Sequence, residues 1–148
     1  MNSNSADLFK EVEALLDRWL TERTDLIAAF HAANERPEDD VNSAPLAKFC
    51  NILVDYVSAG HFEVFQKLVA EAKSFDDDKH INEALTLLPE ISSTTEIALK
   101  FNDHFEVAAD KLSLEIELAT LRDVLAARFA LEDKLIDILH SSHEVALN

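Results

Sequence analysis

Charged residues interrupt three of the apolar helical stripes in this chain, and these positions could carry its chemistry. Arg23, His61 and Glu132 each stand where the helical repeat places apolar residues. Arg128 precedes Glu132 by four residues, a spacing at which two side chains of one helix can pair. A charge on a buried helix face is costly unless it is paired. We therefore predict an internal polar layer. Its members are Arg23, His61, Arg128 and Glu132, and its basic side chains are also predicted to meet Asp17 and Asp55, which lie near the edges of their stripes.

Such a layer can play three roles: an internal network that fixes how the helices align, a half-open groove for a partner, or a catalytic or metal site. The hemerythrin-like spacing H-x-x-x-E occurs at His31/Glu35 and at His140/Glu144. Both pairs fall at predicted helix ends in polar sequence, where a dry cavity is not expected. The E-x-x-H pairs of di-iron bundles are absent from the sequence. We therefore predict no native metal centre and no cofactor.

The candidate nucleophiles also lack the partners that catalysis requires. Cys50 is the only cysteine, which excludes an intramolecular disulfide, and it falls on an apolar stripe as a small buried side chain. Ser58 and His61 share a helix face, but the sequence shows no loop that could stabilise an oxyanion. A single glycine excludes the glycine-rich loops that bind phosphate. We therefore predict that the protein is not an enzyme.

Four long stretches of helical periodicity surround these residues. They run from about Ala6 to Asn34, from Ser43-Ala44-Pro45 to just before Phe75, from about His80 to Phe105, and from Leu114 to Leu139. They predict an all-α fold, an antiparallel four-helix bundle with a long first helix. Pro89 predicts a kink or a split in the third helix. Gly60 predicts a bend or a closely packed backbone in the second. We expect one domain over residues 1–148, with a disordered N-terminus at residues 1–5.

The composition agrees with a helical domain and limits its partners. The 148 residues include 48% hydrophobic residues, but only 1 Gly and 3 Pro, too few for the turns of a β-sandwich or barrel. With 29 acidic and 13 basic residues, the net charge is −16. This charge opposes direct binding to nucleic acid and favours a basic partner. No signal peptide and no run long enough to span a membrane is visible, so we expect a cytoplasmic protein.

Three strings make the chain recognisable. Asp17-Arg18-Trp19-Leu20 followed by Arg23 resembles the DRWLxxR segment of the Rsd/AlgQ family. Residues 49–62, FCNILVDYVSAGHF, resemble its FCxxLVDYxSAGHF segment, and residues 127–136 are similar to its RFxLEDxLI segment. The likeness covers about Leu15 to His140 but is poor over residues 39–44 and 103–113. Residues 62–65, FEVF, look closer to the AlgQ branch of pseudomonads than to the enteric Rsd branch.

The resemblance implies an anti-sigma factor. Family members are helical bundles that bind region 4 of the primary sigma-70-class factor, a basic helix-turn-helix. They keep it from core RNA polymerase and from the −35 promoter element, which favours alternative sigma factors in stationary phase. An acidic protein would be steered toward such a partner, and occlusion requires no catalysis. We expect a monomer or a weak homodimer. The alternatives are a hemerythrin-like metal-binding bundle and an acidic adaptor for another protein.

The motif residues must divide between the interior and the contact surface. Residues on the central stripes are predicted to point inward or into the groove: Trp19, Arg23, His61, Arg128, Phe129 and Glu132. The remaining motif positions are predicted to touch the partner: Asp17, Arg18, Asp55, Tyr56, Ser58, Phe62 and Asp133.

Overall fold

The computed structural model of the chain is helical throughout the residues it describes, 3–35, 44–107 and 111–147, and these contain no strand. The first helix, α1, spans Ser3–Asn34. The second stretch consists of α2 (Ala44–Ala59), a π-helical turn (Gly60–Val64) and α3 (Phe65–Ser74). It is followed by α4 (Asp78–Val107) and α5 (Lys111–Leu139). A 3-10 turn (Ser141–His143) and a short helix, α6 (Glu144–Leu147), close the described chain.

The four predicted helical stretches are confirmed, with three differences. Helix α1 already includes residues 3–5, which we expected to be disordered, and the Ser5 hydroxyl donates a 2.7 Å hydrogen bond to the Ser74 carbonyl. Helix α5 begins at Lys111 rather than at Leu114. Helix α4 is one unbroken helix through Pro89, so the predicted split does not occur. A kink at Pro89 and the antiparallel order of the helices stay predictions, and Ser43 lies outside the described residues.

Gly60 opens the π-helical turn, and side chains rather than a backbone approach it. A Cβ atom at this position would lie 2.9 Å from Cζ2 of Trp19 and 3.3 Å from Nη2 of Arg128. The first distance is too short for any real contact, so only glycine lets Trp19 lie against the helix. The π turn inserts one extra residue into the helical repeat. The positions after it are therefore shifted around the helix axis.

A tight junction of three residues joins α3 to α4. The backbone N–H groups of Asp76 and Asp77 donate to the carbonyls of Lys73 and Ala72, which is the Schellman pattern of a helix C-terminus. Asp76 has a φ of 56°, the left-handed conformation that such a motif requires and that Asp tolerates better than most residues. Asp77 then caps α4, because its Oδ1 accepts the backbone N–H of His80 at 3.3 Å.

The core lies where these helices meet. Helix α1 packs on α2 and α3, and α4 packs on α5, α2 and α3. Aromatic rings connect the layers: Phe49 makes edge-to-face contacts with Phe30 of α1 at 5.4 Å and with Phe101 of α4 at 6.0 Å. Burying an aliphatic or aromatic side chain of this size stabilises the fold by roughly 1.5–3 kcal/mol. Among the described helices, none is long and apolar enough to cross a membrane.

Candidate partner-binding site

Glu132 stands at the centre of a buried polar layer. Its side chain has no solvent exposure. Its Oε1 accepts hydrogen bonds from the Tyr56 hydroxyl at 2.5 Å and from Nη2 of Arg23 at 3.0 Å. Its Oε2 accepts a 2.8 Å bond from Nε of Arg128, one turn earlier on the same helix. One carboxylate therefore joins α1, α2 and α5.

Arg128 extends the polar layer to α4. It is fully buried, and its Nη1 donates to the Thr95 hydroxyl at 2.5 Å and to the Thr94 hydroxyl at 3.2 Å. Its Nη2 is buried beside Gly60 and has no hydrogen-bond partner among the described residues. Charged groups can be buried here because Arg128 and Glu132 neutralise each other. The layer fixes the relative positions of all four long helices.

Arg23 links the layer to the surface. Its Nε donates to the Tyr56 hydroxyl at 3.1 Å, and its Nη1 donates to Asp133 at 2.7 Å. The Arg23 side chain is 14% exposed, whereas Asp133 is 60% exposed. The same guanidinium therefore pairs with Glu132 in the interior and with Asp133 outside.

Aromatic rings enclose this arginine. The Trp19 ring stacks on Tyr56 at 4.9 Å, and its indole N–H donates to the Tyr56 carbonyl at 3.3 Å. The Arg23 guanidinium lies 4.9 Å from the centre of the Phe129 ring and 5.9 Å from that of Trp19, within reach of cation–π attraction. Packing thus restricts Arg23 to one orientation.

The protonation states of the layer follow from its contacts. Burial, together with the negative charge of Glu132, raises the pKa of Tyr56 well above its ordinary value, so the hydroxyl keeps the proton that it donates. Burial alone would lower the pKa of Arg23, but the bonds to Tyr56 and Asp133 and the charge of Glu132 outweigh burial and raise it. Tyr56 and Arg23 therefore both stay protonated across the ordinary pH range.

Two predicted placements are corrected by the structure. Tyr56, which we expected at the contact surface, is fully buried in the polar layer because it lies three residues after the buried Leu53 on the same helix face. His61, which we expected in the layer, is exposed in the π turn, where the buried positions are Gly60 and Val64. The predicted inward positions Arg23, Arg128 and Glu132 come together as described.

Exposed carboxylates of α1, α2 and the π turn form an acidic face beside the layer. We use this name for Glu22 and Asp25 of α1, Asp55 of α2 and Glu63 of the π turn, all of which are exposed. Partial burial, followed by the negative charges of Asp55, Glu63 and Asp25, raises the pKa of Glu22 above its ordinary value. Each of these three carboxylates therefore lies close enough to Glu22 to repel it. A basic partner would relieve that repulsion.

Phe62 stands beside the acidic face as an exposed apolar side chain. It is 69% exposed, next in sequence to Glu63 of the acidic face, and its ring meets that of His61 edge-on at 4.8 Å. Ser58 of α2 and Leu99 of α4 line the same shallow groove. Among the other predicted contact residues, Asp17, Arg18, Asp55 and Asp133 are exposed, and Ser58 is half-buried.

The two hemerythrin-like pairs do not form sites. His31 and Glu35 are both exposed at the end of α1. His140 is buried but contacts Glu71 at 2.6 Å, whereas Glu144 is exposed. Glu71 has no solvent exposure and was missed from the sequence. The signal was available, because Glu71 lies three residues after the buried Leu68 and so falls on the core face of α3.

Comparison with known proteins agrees with the motifs. A family model described as "Regulator of RNA polymerase sigma(70) subunit, Rsd/AlgQ" matches residues 2–140. A protein named "Regulator of sigma D" from Sodalis glossinidius is 35% identical over 130 residues, 82% of this chain and 85% of the relative. Proteins of the same name from Salmonella paratyphi A and Shigella dysenteriae are each 32% identical. The first match covers 88% of this chain and 87% of the relative, and the second 82% and 81%.

Proposed function

The chain belongs to the Rsd/AlgQ family of regulators of the RNA polymerase sigma-70 subunit, and on that premise we propose that it is an anti-sigma factor for region 4 of the primary sigma factor. Region 4 is the basic helix-turn-helix that reads the −35 promoter element. The proposed complex forms where RNA polymerase works, in the cytoplasm, with one copy of each protein. Closeness to the AlgQ branch stays a prediction from residues 62–65.

The acidic face beside Phe62 is the observation that carries the proposal. Partial burial and the negative charges of Asp55, Glu63 and Asp25 raise the pKa of Glu22, so these three carboxylates repel that of Glu22. A basic helix placed over them would replace repulsion with attraction and would be steered there from a distance. Phe62 supplies the large apolar side chain that typically anchors such an interface.

The proposed mechanism is occlusion. The Lys and Arg side chains of a helix-turn-helix bind DNA by neutralising its phosphates. If the same side chains lie against Glu22, Asp55 and Glu63, they cannot also contact the −35 element. The protein bound to region 4 would also cover the surface through which region 4 contacts core polymerase. No bond is made or broken, so the site needs position and charge alone.

The buried layer supports this by holding the face in place before the partner arrives. Tyr56 and Arg23 are neighbours in sequence of Asp55 and Glu22, and the two buried side chains are joined by a 3.1 Å hydrogen bond. The carboxylates of α1 and α2 are therefore preformed as one surface. A preformed surface loses less conformational entropy on binding. We place Tyr56 among the supporting residues and not among the contact residues.

The test is a calorimetric titration of the full chain with the isolated region 4 domain of the cognate primary sigma factor. We expect a one-to-one complex with a micromolar or tighter Kd at low salt. The double variant Asp55→Asn/Glu63→Gln should weaken binding at least tenfold. The double variant Asp103→Asn/Glu115→Gln removes the same two charges from exposed positions. Glu115 lies 18 residues before Asp133 on α5, about 27 Å along the axis, and this control should bind normally.

Two results would contradict the proposal. Absence of binding by the wild-type chain would leave the fold and family intact but favour an adaptor for another partner. Equal losses in both double variants would mean that only net charge matters and that the acidic face is incidental. Binding should also weaken as salt rises from about 50 to about 500 mM, because the Debye length shrinks to a few Å.

Phe62→Ala tests the apolar anchor separately from the charges. A truncated central anchor typically costs a complex about 2 kcal/mol or more, which is over tenfold in Kd. Because Phe62 is exposed, the variant should fold normally. Leu112→Ala, at another exposed apolar residue (66%) on α5, is the matched control. Unchanged affinity in Phe62→Ala would move the interface away from the π turn.

A further inference from the structure

A second polar cluster lies where the C-terminal turn meets the α3–α4 junction. Oδ2 of Asp77 is 2.5 Å from Nδ1 of His80 and 2.7 Å from Nε2 of His143. Two imidazole nitrogens therefore converge on one carboxylate oxygen. All three ligand atoms lie within 4.8 Å of one another. Each of these nitrogens can either donate a hydrogen bond to the shared oxygen or, without its proton, bind a metal ion together with it.

Neighbouring residues fix the orientation of the His143 ring, as residues around a metal site fix its ligands. The other ring nitrogen of His143, Nδ1, is 2.7 Å from Oε2 of Glu71, a fully buried carboxylate. A histidine ligand characteristically donates its second N–H to a carboxylate, which fixes the tautomer and the ring direction. The ring of His143 also stacks on Phe75 at 4.4 Å. Nε2 of His143 is thus held toward Asp77.

The other oxygen of Glu71 contacts a third histidine. Oε1 of Glu71 is 2.6 Å from Nδ1 of His140, whose ring stacks on Phe9 at 4.1 Å. Nε2 of His140 is buried without a hydrogen-bond partner in the described part of the chain. Glu71 and Asp77 together bring two negative charges to the site. A divalent cation would be attracted by them and by the net charge of −16.

We propose that Asp77, His80 and His143 form a zinc-binding site, with Glu71 as the carboxylate that orients His143. Two histidines and one carboxylate are a usual zinc ligand set, with water at the fourth position. Zinc–ligand distances near 2.0–2.2 Å place neighbouring ligand atoms about 3.3 Å apart. The two N···O distances must therefore widen by about 0.6–0.8 Å. His80 and Asp77 can move that far, because their side chains are 29% and 18% exposed and lie at a helix end.

The experiment uses the full chain, prepared without a metal-affinity tag, treated with EDTA and freed of the chelator. Titration with zinc chloride in competition with a chromophoric chelator should give one site per chain with a micromolar or tighter Kd. Cobalt(II) should give the visible absorption of a four-coordinate site. His80→Asn should weaken zinc binding at least tenfold. His104→Asn, which removes an exposed histidine from the same helix, should leave it unchanged.

A second variant separates loss of a ligand from loss of structure. Asp77→Asn keeps a side chain that can cap α4 but removes the carboxylate, so it should fold and bind zinc at least tenfold more weakly. Circular dichroism verifies that both variants stay helical. The proposal is overturned if wild-type binding is no tighter than that of His80→Asn and Asp77→Asn, or if His104→Asn loses as much affinity as they do.

Discussion

Two buried carboxylates organise separate regions of this molecule, and they face different bases. Glu132 lies in the middle of the bundle and pairs with Arg23 and Arg128. Glu71 lies near the C-terminal turn and contacts His140 and His143. Both carboxylates have no solvent exposure. The local geometry is comparable, but arginine cannot release its proton in a protein, whereas histidine can.

Because of this difference, the bases of the first region always carry a charge, whereas histidine also has a neutral form. The Arg–Glu layer ties together four helices through arginines that do not lose their protons in a protein, so it is suited to holding a binding surface in place. The His–carboxylate cluster ties the C-terminal turn to the α3–α4 junction with side chains that we propose as zinc ligands. We infer that the first region maintains the architecture and that the second is the place where solution conditions can act.

The largest expected effect is that of Glu132→Gln. This change leaves the buried Arg128 without a negative partner, whereas Arg23 keeps only the exposed Asp133. Breaking a buried pair in this way typically costs about 3–5 kcal/mol. Urea unfolding followed by circular dichroism measures the loss, with Glu115→Gln as the exposed control. A loss below about 1 kcal/mol would mean that water reaches these side chains far more than their burial indicates.

Glu71→Gln should cost less, about 1–3 kcal/mol, the usual range for a buried polar group that loses its partner. A histidine partner has a neutral form available when its carboxylate is lost, whereas an arginine partner does not. The same unfolding measurement near pH 7.5, free of divalent metal, provides the comparison. If Glu71→Gln costs as much as Glu132→Gln, the proposed distinction between the two regions fails.

Gly60→Ala tests the close packing of Trp19 and Arg128 against Gly60, which belongs to the Arg–Glu region and not to the histidine cluster. The added methyl group would overlap Trp19, and overpacking of this kind costs about 1–3 kcal/mol. Alanine regains about 1 kcal/mol of helix propensity, so we expect a net loss of up to about 2 kcal/mol in the free energy of unfolding. A gain in stability would show that Trp19 can move aside freely.

The smallest expected effect is that of Asp133→Asn, at the exposed end of the Arg23 pair. A surface ion pair contributes roughly 0–1 kcal/mol, and Arg23 keeps its buried bonds to Glu132 and Tyr56. Stability should therefore change little, while affinity for sigma region 4 falls if Asp133 touches the partner. A large loss of stability would show that Asp133 belongs to the interior layer.

Much of this architecture could be predicted because it is periodic. The helical repeat gave all four stretches and singled out Arg23, Arg128 and Glu132 as charges on core faces. The prediction for His61 was wrong for a geometric reason. At 100° per residue, a step of four residues ends about 40° past a full turn, so the steps from Leu53 to Val57 and on to His61 move progressively around the helix. The π turn then rotates the following positions further. His61 therefore points outward.

The sequence by itself determined that the chain is helical, acidic and a member of its family, because periodicity, charge and motif strings are local properties. The tertiary structure alone decided which charges meet. Arg23 and Glu132 are 109 residues apart, and Glu71 and His143 are 72 apart. No local spacing encodes such pairs. They exist because helix packing brings their faces together, and because a buried charge is tolerated only where packing supplies its partner.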